Sequence, residues 1–184
     1  NSTIRNNTDG IDADSGSQPT ITANTFTGNG RPISVYANKI DETIYGNTYS
    51  GNTKEYIELQ GATLDENKTY TWKNDGGPYV AVADIRVRRD SYDAGSEKSI
   101  LEISTGTTVQ FASGKYLYVG DANNNYNYDR YPGGLKAKGV TFTSLDTTGW
   151  GGLYFHNSTL DDSSYTLIDS SIIESAVDGI YCQS

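Results

Sequence analysis

The sequence is poor in the features that usually organise a globular chain. Cys182 is its only cysteine, so no intrachain disulfide can form. Set in Ile180-Tyr181-Cys182, it reads as a small buried apolar residue. His156 is the only histidine, with no second His or Cys near it in sequence to complete a metal or catalytic set. It reads as a strand-end or turn residue. No stretch keeps apolar positions at i, i+3, i+4 and i+7, which excludes amphipathic helices as the organising unit. No apolar run approaches a membrane span, so this segment does not insert into a membrane as a helix. Cations are scarce as well: 14 Lys and Arg stand against 23 Asp and Glu, for a net charge of −9 and a pI near 4.5. That balance argues against nucleic acid as a partner, because phosphate affinity needs clustered cations. It favours solubility and can hold divalent cations.

What is present is a repeat. Asn24-Thr25-Phe26-Thr27-Gly28-Asn29 returns as Asn47-Thr48-Tyr49-Ser50-Gly51-Asn52, and Ile33 and Val35 are followed at an offset of 24 by Ile57 and Leu59. An interval of this size, rich in Asn, Gly, Thr and β-branched residues, predicts one coil of a β-solenoid. Only 35% of the chain is hydrophobic and its mean hydropathy is −0.59. A solenoid accommodates this, because each coil buries a thin inner stripe. Strands are predicted at Ile33–Tyr36, Tyr56–Leu59, Tyr79–Val82, Ile85–Val87, Leu101–Ile103, Val109–Phe111, Leu117–Val119, Val140–Phe142 and Leu153–Phe155. The pairs Leu101/Ile103, Leu117/Val119, Leu135/Ala137 and Leu153/Phe155 recur at intervals of 16, 18 and 18, which suggests shorter, irregular coils in the second half. Stacked parallel strands lie about 4.8 Å apart, so Phe26 should sit on Tyr49, Asn24 on Asn47 and Asn29 on Asn52.

The run Leu101-x-Ile103-x-x-Gly106-Thr107-x-Val109-x-Phe111, then Gly134 to Phe155, then Ser171-Ile172-Ile173-Glu174-x-Ala176, resembles the right-handed parallel β-helix of large microbial cell-surface proteins. That fold is shared with the pectate-lyase-like superfamily. The resemblance implies a β-helix in an extracellular or cell-surface setting; some members bind or build, others are polysaccharide lyases or hydrolases. Ile4 to Ile11 also aligns without gaps to Ile173 to Ile180, so the last coil resembles the first. The expected architecture is one all-β domain over residues 1–184, a piece of a longer solenoid, with a loop inserted near 121–133. Its open ends would let the parent chain continue or let copies stack end to end.

Several residue groups could carry chemistry. Asp121, Asn123, Asn125 and Asp129 alternate like the oxygen ligands of a calcium loop, although Tyr126 stands where the sharp-turn Gly belongs. Asp12-Ala-Asp14-Ser-Gly16 is a shorter version. Tyr126, Tyr128 and Tyr131, beside Arg130, form a tyrosine-rich loop suited to sugar contact, in a chain with 15 Tyr against 4 Phe. Asp84-Ile-Arg86-Val-Arg88-Arg89-Asp90 puts Asp84, Arg86 and Arg88 on one face and Ile85 and Val87 on the other. Sequons place candidate glycosylation at Asn1, Asn6, Asn67 and Asn157. Trp72 and Trp150 read as packing residues.

The leading function is a non-catalytic structural or adhesin-like module that contacts a polysaccharide or cell-surface glycan through the Tyr126/Tyr128/Tyr131/Arg130 loop, with Ca²⁺ as the one cofactor to consider. The competing reading is a lyase or hydrolase of an acidic polysaccharide using Arg86 and Arg88. A third is a self-stacking filament subunit.

Overall fold

The computed structural model describes residues 1–89, 98–121 and 131–183, and every strand pairing among them is parallel. The chain is a right-handed parallel β-helix. Its spine is a seven-stranded sheet built from Asp9–Asp12, Arg31–Tyr36, Ile57–Gln60, Tyr79–Ala81, Thr108–Phe111, Thr141–Ser144 and Ile172–Ile173. A five-stranded sheet holds Ala62–Leu64, Ile85–Val87, Tyr116–Val119, Gly152–Phe155 and Ile180–Cys182. A four-stranded sheet holds Thr69–Trp72, Ser99–Ile103, Gly133–Lys138 and Leu167–Asp169. Two smaller sheets occur in the early coils: Thr3–Arg5, Thr25–Thr27 and Thr48–Ser50 in one, Ile21–Thr22 and Ile44–Tyr45 in the other. The one helical turn described is 3-10, at Ala37–Lys39.

Alternation decides what is buried. In Ile85-Arg86-Val87 the outer two side chains are buried and the middle one faces out; Tyr116–Val119 repeats the pattern. Like residues then stack: Ile11, Ile33, Ile57, Tyr79, Val109, Phe142 and Ile173 follow one another along the axis. The buried tyrosines keep their hydroxyls bonded, Tyr79 Oη donating to Lys73 O at 2.7 Å and Tyr70 Oη accepting from Glu66 N at 2.9 Å. The tryptophans pack as expected. Trp150 stacks on Phe111 at 4.5 Å and donates Nε1–H to Glu174 O at 2.8 Å, while Trp72 tilts against Tyr79.

The early ladders form as the repeat predicts. Phe26 and Tyr49 stack at 5.6 Å with 16° between planes. Asn24 N donates to Asn47 Oδ1 at 3.0 Å, and Asn29 N to Asn52 Oδ1 at 3.0 Å. Both ladders end on a carboxylate. Asn47 N and Nδ2 donate to Asp75 at 2.9 and 3.0 Å, and Asn52 N and Nδ2 donate to Glu55 at 2.7 and 3.1 Å. Tyr49 Oη also donates to Asp75.

Three expectations are corrected. The second-half intervals of 16 and 18 are half-coils: Leu101 pairs with Leu135 in the four-stranded sheet, and Leu117 with Leu153 in the five-stranded one. The later coils are therefore longer than the early ones. Ile11 pairs with Ile33 and Ile33 with Ile57, steps of 22 and 24 residues, whereas Val109 pairs with Phe142 and Leu117 with Leu153, steps of 33 and 36. The likeness of the two ends is not a likeness of position. Ile4 and Ile11 lie in the three- and seven-stranded sheets, Ile173 and Ile180 in the seven- and five-stranded ones. Cys182 is exposed, not buried. It occupies the core row Leu64, Val87, Val119, Phe155, but the coil it belongs to is the last described and no described residue lies over it.

Candidate functional site

The five-stranded sheet turns an unusual row of side chains outward. Register places Thr63, Arg86, Tyr118, Tyr154 and Tyr181 one above another. One pleat on, Arg88, Gly120, His156 and Gln183 form a second row, set by bonds from Gly120 N to Val87 O, His156 N to Val119 O and Gln183 N to Phe155 O. One pleat back, Tyr116 pairs with Gly152. Every tyrosine of the central row sits between two inward apolar residues, as in Leu117-Tyr118-Val119, Leu153-Tyr154-Phe155 and Ile180-Tyr181-Cys182. The inward pair fixes the strand, and the tyrosine is left outside by alternation.

The rings form a continuous array. Tyr154 lies 4.4 Å from Tyr181 and 5.6 Å from Tyr118, which in turn lies 5.3 Å from Tyr116. His156 stacks against Tyr118, at 5.7 Å, and tilts against Tyr154, at 4.6 Å. Arg86 caps the array with its guanidinium carbon 4.1 Å over the Tyr118 ring. Interior rings cover one another's faces, so they offer edges and hydroxyls, while Tyr181, 44% exposed, also offers open ring surface.

Two glycines shape the floor. A Cβ at Gly151 would fall within 2.5 Å of three Tyr116 ring atoms, and one at Gly152, with φ +123°, would lie 1.7 Å from Asp178 O. With no side chain there, Tyr116 lies flat and leaves a concavity of about 320 Å³ lined by Tyr116, Tyr118, Gly152, Tyr154, Asp178 and Tyr181. Burial and then the nearby Asp84 push the Tyr118 hydroxyl up. Desolvation, followed by hydrogen bonding to Tyr181, pushes Tyr154 up. Both hydroxyls stay protonated at neutral pH and serve as donors and acceptors.

The residues singled out in sequence fall in several places. Tyr126, Tyr128, Arg130, Asn123, Asn125 and Asp129 lie outside the described residues. Tyr131 lies under the Arg88 guanidinium, 5.1 Å away, and Asp121 is ion-paired with Arg88. A carboxylate so engaged is a poor opening ligand for calcium, and among the described residues no group of three or more His, Cys, Asp or Glu could hold one ion. Asp14 closes a local turn, accepting from Gly16 N at 3.1 Å and Ser17 Oγ at 2.7 Å. Arg86 and Arg88 do face outward with Ile85 and Val87 inward. Asn1 and Asn6 are exposed; Asn67 and Asn157 are half-buried. Tyr116, Tyr118, Tyr154 and Tyr181 are absent from the sites expected from sequence, although the repeated apolar-Tyr-apolar triplet points to the last three.

Residues 1–81 match the model of a family described as periplasmic copper-binding protein (NosD). No curated protein matches the chain, and no solved structure does. Copper centres draw on thiolate, thioether and imidazole ligands. This chain has no Met, one His and one Cys, and the matched residues contain none of the three. His156 gives its Nδ1 to Gln183 Oε1 at 2.9 Å, and Cys182 belongs to the inward row of its strand. The residues present do not fit a copper centre.

Proposed function

We propose that the chain is a non-catalytic, extracytoplasmic β-helix module, adhesin-like in role, that contacts glycans through the outward tyrosine face of its five-stranded sheet. The observation that carries this is the in-register row Arg86, Tyr118, Tyr154, Tyr181 beside a glycine-floored concavity. Amphipathic rings bring apolar surface and hydroxyls together, as sugars require. The extracytoplasmic setting is supported by the fold and by the periplasmic character of the family whose model matches residues 1–81. Contact is assigned to the sheet because its tyrosines are held rigidly by backbone pairing.

The lyase reading asks Arg86 or Arg88 to act as a base. Arginine is a donor and a poor proton acceptor, and here Arg88 is engaged by Asp121 and Arg86 lies over the Tyr118 ring. End-to-end stacking is opposed by perimeter, since the first described coil is about ten residues shorter than those around Phe142. A glycan array with the intact chain and with Tyr154→Ala tests the proposal. Binding that the substitution abolishes supports it. Binding unchanged by it, or release of unsaturated sugars from a polysaccharide panel, overturns it.

A further inference from the structure

We infer that the tyrosine face selects glycans bearing an acidic group, with Arg86 as the residue that reads it. This deepens the glycan-contact reading and rests on it. In a chain of net charge −9, cations are normally neutralised by neighbours. Arg31, Lys39, Lys54, Lys68, Lys73, Arg88, Lys136 and Lys138 each lie within 4.0 Å of a carboxylate. Among the described residues Arg5, Arg86, Lys98 and Lys115 have no such ion pair, and of these Arg86 is the one in the outward row with Tyr118 and Tyr154. The acid nearest it on its own strand's outward face, Asp84, directs Oδ1 to Tyr116 N at 3.1 Å. Arg86 instead lies over the Tyr118 ring and bonds to its hydroxyl. The remaining N–H donors of its planar fork match a carboxylate or a sulfate.

Two further nitrogens in the adjoining row are buried without partners. His156 is 8% exposed and its Nε2 makes no hydrogen bond; Arg88 Nε is in the same position, its Nη1 being engaged by Asp121. With Nδ1–H donating to Gln183 Oε1, His156 Nε2 presents a lone pair, the complement of a sugar hydroxyl. Buried polar atoms left unmade are costly, and a ligand that supplies their partners recovers that cost. An acidic oligosaccharide lying along the Tyr118 and Tyr154 rings would meet both needs, its anion at Arg86 and a hydroxyl at His156. The net negative charge of the chain repels polyanions, so the ligand is best probed as a short oligomer.

The test is calorimetric titration of the intact chain with triglucuronate, with its methyl ester, which keeps the sugar skeleton and removes the charge, and with a sulfated trisaccharide. Triglucuronate or the sulfated sugar should bind at least tenfold more tightly than the neutral ester, and which of the two binds identifies the acidic group. Arg86→Gln should erase that preference while leaving weak binding of the ester, and Tyr154→Ala should remove all binding. Equal affinity for acid and ester, or a preference surviving Arg86→Gln, overturns acidic selection while the glycan reading stands. No binding of any of the three overturns both. His156→Gln, checked for folding by circular dichroism, should weaken acid and ester alike.

Discussion

The coils before Gly61 and those after it use the same parallel pairing, yet they spend their polar groups differently. In the early coils the side chains satisfy one another. Arg31 bonds to Asp9 at 2.8 Å and to Glu58, Lys54 reaches Glu58 at 2.9 Å, and the two asparagine ladders close on Asp75 and Glu55. Among the described residues there, Asn38 Oδ1 alone is a buried side-chain polar atom without a partner. In the later coils the path lengthens by about ten residues, and the strands beginning with Ala62–Leu64 grow into the five-stranded sheet. Its outward rows carry rings, an arginine without a carboxylate and two buried nitrogens without partners. The capacity to bind lies where polar surface is left unsatisfied.

Core truncation should separate the halves most strongly. Trp150→Ala removes a fully buried ring, its stacking on Phe111 and its bond to Glu174 O, and should cost about 3–5 kcal/mol in urea unfolding. Because Trp150 precedes the strand bearing Tyr154, binding by the tyrosine face should fall with it. Phe26→Ala should cost about as much and leave that binding intact in whatever fraction stays folded. If both substitutions damage binding equally, the two halves do not behave separately.

The asparagine ladders come next. Asn47→Ala removes donors to Ile21 O at 2.9 Å and to Asp75, and leaves the Asp75 carboxylate, 2% exposed, short of a partner. A loss of about 2–3 kcal/mol is expected. The matching change in the later coils has no such chain to break: Lys136→Ala loses a 3.9 Å ion pair with Glu102, both partners partly exposed, and should cost well under about 1 kcal/mol. Comparable losses from the two would remove the distinction in how the halves are held.

Much of this is readable in the sequence. The six-residue repeat fixed the stacking of Phe26 on Tyr49 and the direction of the amide ladders, because identical side chains at a constant interval have one way to superimpose. The lengthening of the coils was hidden. Leu101, Leu117, Leu135 and Leu153 look alike, and only pairing tells that alternate members share a sheet. The exposure of Cys182 was hidden too, since alternation assigns it an inward position and only stacking decides whether a neighbour covers it. The site was half legible. Arg86 was placed on the outward face by alternation, but its partner Tyr118 lies 32 residues away, a distance set by a coil length that the sequence pattern did not disclose.

Truncating the tyrosine face should affect binding more than stability. Tyr154→Ala leaves the inward residues Leu153 and Phe155 in place and should cost about 1 kcal/mol or less, as outward substitutions usually do. The same change should reduce glycan affinity at least tenfold, the effect of losing about 1.4 kcal/mol of contact. A large stability loss would assign the ring array to holding the fold.

The smallest effect concerns alkaline pH. Burial first, and Asp75 second, push the Tyr49 hydroxyl far up, and burial pushes Tyr70 up to about 12. A phenol whose pKa is raised by folding stays protonated in the native state while the unfolded chain releases its proton. Its contribution is therefore complete below the unfolded value, about 10, and is lost as pH climbs above it. Stability should accordingly be flat through neutrality and decline at alkaline pH, with Tyr49 and Tyr70 ionising only on unfolding. Tyr49→Phe should flatten that decline, whereas Tyr181→Phe, at the exposed end of the array, should leave it unchanged. Urea midpoints followed against pH, with phenolate absorbance as the second probe, measure both. A decline that ignores Tyr49 would mean that its bond to Asp75 does not hold the early coils together.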